Sequence, residues 1–259
     1  MKIQILPMLL GLCVFCTVHL QAQSGKRELY ELKTYHIKNA DQEKMLDEYL
    51  QQAYIPAANR QGIQKVGVFK PRSTEEDAGK MVYVFTPFKN QKAYFEFEGK
   101  LQKDNNYQEK GKSYIHAAHD NPPYERIETA LLLAFSGMPA FKESKVSGPK
   151  KDRVYELRSY EAATERLYRQ KVKMFNQGEI DIFDKLDFNH VFYAETLAGA
   201  NMPNLMYMTT FENMDTRNEK WKQFGADPDW EAMKDLEEYK NTVSKNDTRL
   251  LYPADYSQL

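Results

Sequence analysis

The chain repeats itself. Tyr30-Glu31-Leu32-Lys33-Thr34-Tyr35 recurs as Tyr155-Glu156-Leu157-Arg158-Ser159-Tyr160, an offset of 125 residues with only conservative changes. Self-similarity at this distance restricts the fold to something that two copies of one unit can build. Each copy is followed by helical periodicity: Met45, Leu46, Tyr49, Leu50, Ala53 and Tyr54 after a cap at Asn39 or Asp41, and Tyr168, Val172 and Phe175 after Thr164. Gly62 stops the first of these helices.

Two strand-like stretches come next in each half. Gln64–Phe69 and Asn189–Ala194 open hairpins whose second strands, Met81–Phe85 and Leu205–Thr209, correspond at an apparent offset of 124. Charge-rich helical sequence follows, Asn90–Lys103 and Tyr107–His119 in one half, Thr216–Phe224 and Trp230–Val243 in the other. A last apolar run closes each half, Thr129–Phe135 and Thr248–Tyr252. Strand, helix, hairpin, helices, strand is the order of a ferredoxin-like α+β unit, with helices on one face of an antiparallel sheet. Such a sheet leaves its other face uncovered, and two tandem repeats can bury those faces against each other as a barrel-type pseudo-dimer. The expected organisation is a first repeat over 27–141, a Lys/Ser/Gly/Pro-containing linker over 142–151 and a second repeat over 152–259.

The amino terminus lies outside this scheme. An apolar run from Ile5 to Val18 before Gln21-Ala22-Gln23-Ser24 reads as a signal peptide over 1–22, too short for a permanent membrane span, so the mature chain is expected to be exported. Both cysteines, Cys13 and Cys16, and His19 lie within it, leaving a folded part with no cysteine and four histidines. Disulfides, thiolate catalysis and cysteine-based zinc sites are thereby excluded.

The second half carries a family resemblance. Arg153-Val154-Tyr155-Glu156-Leu157-Arg158-Ser159-Tyr160 resembles the opening strand of the NIPSNAP domain. Leu205–Phe211, followed by Arg217, Trp221 and Trp230, resembles its central strand and Trp-bearing helix, and Arg249-Leu250-Leu251-Tyr252-Pro253 with Ser257 and Leu259 its closing strand. The likeness is weaker in the first half, where Ala93–Phe97 stands near the place of the Trp. The resemblance implies the dimeric α/β barrel fold, whose superfamily also holds small monooxygenases, haem-degrading enzymes and stress-response barrel proteins. It implies the fold more firmly than any activity.

Strand alternation places Tyr30 and Leu32, like Tyr155 and Leu157, on the helix-covered face. Glu31, Lys33 and Tyr35 would then line the lumen as ligand-binding groups, facing Glu156, Arg158 and Tyr160 as catalytic candidates, with Glu as base and Arg or Lys holding an anion. The competing reading is that Glu and Lys or Arg pair across strands and seal the interface between the halves. His190, in a strand where the first half has Val66, is the candidate lumen base or haem ligand against a purely structural role. His36 is placed at a rim. His116 and His119 stand at i and i+3, a spacing a metal could bridge, although the Asn121-Pro122-Pro123 that follows makes them helix-end histidines, and no metal is assigned. Asp227-Pro228 reads as a helix start.

No phosphate loop, GxGxxG, HExxH or G-x-S-x-G occurs, and 36 basic against 37 acidic residues are interleaved without a nucleic-acid footprint. The leading expectation is an exported protein binding a small molecule in or near the barrel lumen. The alternative is a cofactor-independent or haem-assisted oxygenase or isomerase using lumen Glu, Arg, Tyr and His. A structural, homo-oligomer-forming module is the third. No cofactor is firmly implied; haem is the one considered.

Overall fold

The computed structural model describes residues 27–259; the expected signal peptide lies outside the described residues. The first repeat runs β1 (Leu29–His36), α1 (Ala40–Tyr49), a π-helical turn (Leu50–Tyr54), α2 (Ile55–Arg60), β2 (Gly67–Pro71), β3 (Met81–Phe88), α3 (Gln91–Leu101), α4 (Asn105–Lys110), α5 (Lys112–Ile115) and β4 (Arg126–Ala134). The second runs β5 (Val154–Glu161), α6 (Glu165–Met174), a π-helical turn (Phe175–Glu179), α7 (Ile180–Lys185), β6 (Asn189–Ala198), β7 (Asn204–Phe211), α8 (Met214–Gly225), α9 (Pro228–Lys234) and β8 (Lys245–Pro253).

Each repeat is an antiparallel sheet in the order β4-β1-β3-β2 or β8-β5-β7-β6. Pairing of β2 with β8 and of β4 with β6 closes all eight strands into one barrel. The two joining pairs are equivalent under the repeat, so the chain is a pseudo-dimer in which each half hides the other's sheet edges.

Local chemistry fixes the elements. Asn39, Asn90, Thr164 and Asn213 cap α1, α3, α6 and α8, each accepting from the backbone N–H three residues on. The residue after α2's cap, Gly62, takes a φ of 78° that favours glycine. Asp227 caps α9 with Pro228 at its first position, as expected. The two π-helical turns fall at the same place in the repeat, 125 residues apart. A Cβ at Gly178 in the second would meet the Met233 methyl, which packs against this glycine.

Strand pairing corrects the hairpin alignment. Glu31 faces Thr86 and Glu156 faces Thr209, so β3 and β7 correspond at an offset of 123, not 124. A one-residue slip exchanges faces: Tyr83 is equivalent to Met206 and Tyr207 to Val84. Likewise β2 and β6 align Gly67 with Phe192 opposite Phe85 and Met208, so Val66 corresponds to Val191, the residue bulged out between His190 and Phe192. The helix expected through His119 stops at Ile115, and His116 and His119 are exposed loop residues off any common helix face. The helix expected over Trp230–Val243 is α9, followed only by a 3₁₀ turn at Glu237–Tyr239.

Candidate functional site in the barrel mouth

The lumen is a packed core, not a polar chamber. Tyr30, Leu32, Phe69, Phe85, Leu132, Tyr155, Leu157, Phe192, Met208 and Leu251 fill it from all eight strands together with Tyr83 and Ala134. At one end Phe85 stacks on Phe192 at 5.0 Å between ring centroids, and Phe69 meets Tyr155 at 4.7 Å. This reverses the expected facing of the opening strands. Both faces of a strand in a helix-covered barrel are buried, so apolar residues do not mark the helix side; Tyr30, Leu32, Tyr155 and Leu157 point inward.

Glu31, Lys33, Tyr35, Glu156, Arg158 and Tyr160 therefore lie between sheet and helices. In the second repeat Glu156 is fully buried and accepts from Arg158 Nε at 2.7 Å, from Arg217 Nε and Nη2 at 2.8 and 2.9 Å and from Trp221 Nε1 at 2.8 Å. The Arg158 guanidinium sits 3.8 Å from the Trp221 ring centre and donates to the Tyr160 hydroxyl at 3.1 Å. Burial pushes the Glu156 carboxyl up, but hydrogen bonds and charges of Arg217 and Arg158 outweigh it and leave it below its ordinary value. Every oxygen of this carboxylate is already engaged, which suits a brace between β5 and α8 rather than a base. In the first repeat Lys33 reaches Glu31 at 3.0 Å, and Tyr114 donates to Tyr35 at 3.4 Å. The pairs form within a strand and towards helices, not across the interface between halves.

His190 also leaves the lumen. It pairs with Thr209 on the outer face, beside a cleft of about 490 Å³ that Lys142, Asp184, Asp187 and Lys220 help to line. Its Nε2 lies 3.1 Å from Lys142 Nζ and 3.1 Å from Asp184, and its buried Nδ1 has no partner among the described residues. Burial and the neighbouring Lys142 charge push its pKa down to about 4, against the pull of Asp184, so the ring is neutral at pH 7 and accepts from Lys142. A histidine held this way outside the barrel does not fit a lumen haem. Among the described residues no group of three or more His, Cys, Asp or Glu is placed to hold a metal.

The opening that remains is the other end of the barrel, a pocket of about 280 Å³. Leu32, Leu157, Met81 and Met206 make its apolar floor, while His36, Glu128, Asn204, Asp247 and Arg249 bring polar groups. Both repeats supply it symmetrically. Thr34 faces Glu128 as Ser159 faces Asp247, so the two carboxylates occupy equivalent positions, as do Ala130 and Arg249. His36 Nε2 contacts Glu128 at 2.9 Å; Arg249 reaches Asp77 and Asp247 at 3.2 Å each. Asn204, almost wholly buried, donates to the Ser159 hydroxyl at 2.8 Å, while its Oδ1 has no donor among the described residues.

Of the polar groups in this pocket, the sequence places His36 at a rim and gives Arg249 only as part of the closing-strand motif, with no site role for Glu128, Asn204 or Asp247. The missed signal is a second repeated motif: Glu128-Thr129-Ala130-Leu131-Leu132 recurs as Asp247-Thr248-Arg249-Leu250-Leu251. It places one carboxylate from each repeat at the mouth.

Fold and site together define a tandem pseudo-dimer of the dimeric α/β barrel class. Solved structures with this architecture across the chain include a "putative monooxygenase" from Lactobacillus acidophilus NCFM (11% identity, 88% of this chain and 94% of that one, TM-score 0.58). A second protein so described, from Fusobacterium nucleatum subsp. nucleatum ATCC 25586, aligns at 8% identity over 88% and 93% of the chains with a TM-score of 0.57. An anthrone oxidase-like protein aligns at 10% identity over 89% and 92% with a TM-score of 0.52. At these identities the likeness is one of fold. Residues 155–258, within the second repeat, match the NIPSNAP family model. No curated protein matches the chain.

Proposed function

We propose that this protein binds a small molecule in the barrel mouth. The observation that carries the reading is the pocket itself: a closed barrel with an open mouth that gathers ionisable and amide groups from both repeats over an apolar floor. The ligand would lay an apolar body on Leu32, Leu157 and Met206 and present its polar group to Asn204, Asp247 and His36. Native mass spectrometry and thermal-shift screening of the mature chain test this. A ligand whose stabilisation is lost in Met206→Trp, which fills the floor, supports it; a ligand insensitive to that change overturns it.

A second reading, an oxygenase or isomerase acting by proton transfer, is favoured by the His36–Glu128 contact, in which a carboxylate orients an imidazole at the pocket. His36 would be the base, replacing Glu156, Arg158, Tyr160 and His190, none of which reaches the pocket. Turnover abolished by His36→Gln with ligand binding retained would separate catalyst from binder.

We also propose that the chain is exported after removal of its apolar leader. No helix among the described residues is long and apolar enough to cross a membrane. The intact mass of protein recovered from the extracytoplasmic fraction tests the proposal, a mature chain beginning near residue 23 being the expected form.

A further inference from the structure

We propose that the mouth pocket selects a cationic ligand, a small primary amine with an apolar body, over the corresponding carboxylate. This rests on the reading that the pocket binds a small molecule and names its class. The repeat symmetry that builds the mouth duplicates a carboxylate, Glu128 in one half and Asp247 in the other, without duplicating a cation: Arg249 stands opposite an alanine, Ala130, in the symmetric position. That one guanidinium is shared between Asp247 and a third carboxylate behind it, Asp77, at 3.2 Å each. Among the described residues Glu128 has only the His36 ring, at 2.9 Å. Two carboxylates, Glu128 and Asp247, line the mouth against one guanidinium that Asp77 shares from behind, a lining whose field attracts an ammonium and repels a carboxylate.

The buried amide points the same way. Asn204, which lines the pocket, donates to Ser159, and its buried Oδ1 has no donor among the described residues. A ligand N–H met by a small turn of this amide would relieve the free-energy cost of the unpartnered acceptor, which a ligand carboxylate, only accepting, cannot. The floor of Leu32, Leu157, Met81 and Met206 takes the apolar body.

The experiment uses two probes of matched shape and opposite charge, phenethylamine and 3-phenylpropionate, titrated into the mature chain by calorimetry at pH 7 and low salt. Phenethylamine is expected to bind at least tenfold tighter than 3-phenylpropionate and to weaken at least tenfold in Glu128→Gln/Asp247→Asn. Arg249→Gln, which removes the cation, should tighten the amine two- to fivefold; a gain of affinity cannot come from a damaged fold. Preference for the propionate, or amine affinity indifferent to these changes, overturns the inference while leaving a binding pocket. Binding of neither probe at millimolar concentration removes both the inference and the site it rests on.

Discussion

The two repeats share a backbone and fill the layer between sheet and helices with different chemistry. In the first, phenols occupy it: Tyr49 stacks on Tyr114 at 3.6 Å and shares a hydrogen bond with Tyr107, and Tyr54 bonds Thr86 at 2.9 Å. Glu31 there has Lys33 as its ion-pair partner. In the second, charges join the phenols Tyr160 and Tyr207, whose hydroxyls meet at 2.7 Å. Leu46 and Tyr54 are replaced, 125 residues on, by Lys171 and Glu179, a buried pair at 2.7 Å. The aligned caps Asn90 and Asn213 put Tyr94 and Glu98 where the second repeat has Arg217 and Trp221, the two helix residues that hold Glu156. A buried carboxylate needs its partners as a set. The fold tolerates phenols or an ion network in this slot, but half a network would leave a charge without compensation.

The largest test of this contrast is therefore the shared glutamate. Glu156→Gln should cost about 3–5 kcal/mol, because Arg158 and Arg217 are left facing a neutral amide in a buried site. Glu31→Gln, buried but with a single ion-pair partner, should cost less, about 1–2 kcal/mol. Urea unfolding at pH 7 measures both; equal losses would break the distinction between the layers.

Importing the first repeat's chemistry is the next test. Lys171→Leu alone strands Glu179 and should cost about 3 kcal/mol, moderated because burial already raises the Glu179 carboxyl despite Lys171. Lys171→Leu/Glu179→Tyr recreates the Leu46 and Tyr54 pairing and should return to within about 1 kcal/mol of the parent. A double variant as unstable as the single would show that the layers are not interchangeable.

The titration of the outer face separates the repeats further. His190 falls where the first repeat has the half-exposed Lys65. Its folded pKa of about 4 lies below the ordinary 6.5, so between those values the unfolded chain binds a proton that the folded one refuses. Its stabilising contribution is complete above pH 6.5 and is lost as pH falls towards 4, by roughly 2 kcal/mol. His190→Asn should flatten stability against pH between 6.5 and 4.5, above the range where Glu156, whose carboxyl is held low, begins to protonate. An unchanged slope would assign the pH dependence elsewhere.

Much of the architecture was legible because it rests on local signals that the repeat supplies twice: the caps Asn39 and Thr164, the Gly62 stop and the recurring hexapeptide. The facing of β1 and β5 was not. Tyr30-Glu31-Leu32-Lys33 alternates apolar with charged, and in a one-sided sheet the charged set faces the open side. Here closure makes the lumen an apolar core, and the helices bring Arg217, Trp221 and the phenols that make a charged strand face tolerable. Those partners lie some 60 residues away in sequence, beyond the reach of periodicity. The mouth was hidden for a related reason. Glu128 and Asp247 belong to closing strands that read as apolar runs, and they meet across the pocket only through the pairing of each with the opening strand of its own repeat.

The smallest expected effect examines the phenol layer by itself. Tyr49 and Tyr107 share one hydrogen bond at 2.9 Å, both rings being buried. Tyr49→Phe keeps the ring stacked on Tyr114 and removes only that bond, so it should cost about 1 kcal/mol. Tyr107→Phe should cost about the same. Because one bond is lost in either case, the double variant should cost little more than one single, a coupling of about 1 kcal/mol in a double-mutant cycle. The cycle is the counterpart of the one at Lys171 and Glu179, where the coupling should be two or three times larger because the groups left behind are charged. Additive losses at Tyr49 and Tyr107 would mean that each hydroxyl is satisfied independently, and the first repeat's layer would then be a set of separate contacts rather than a neutral counterpart of the network in the second.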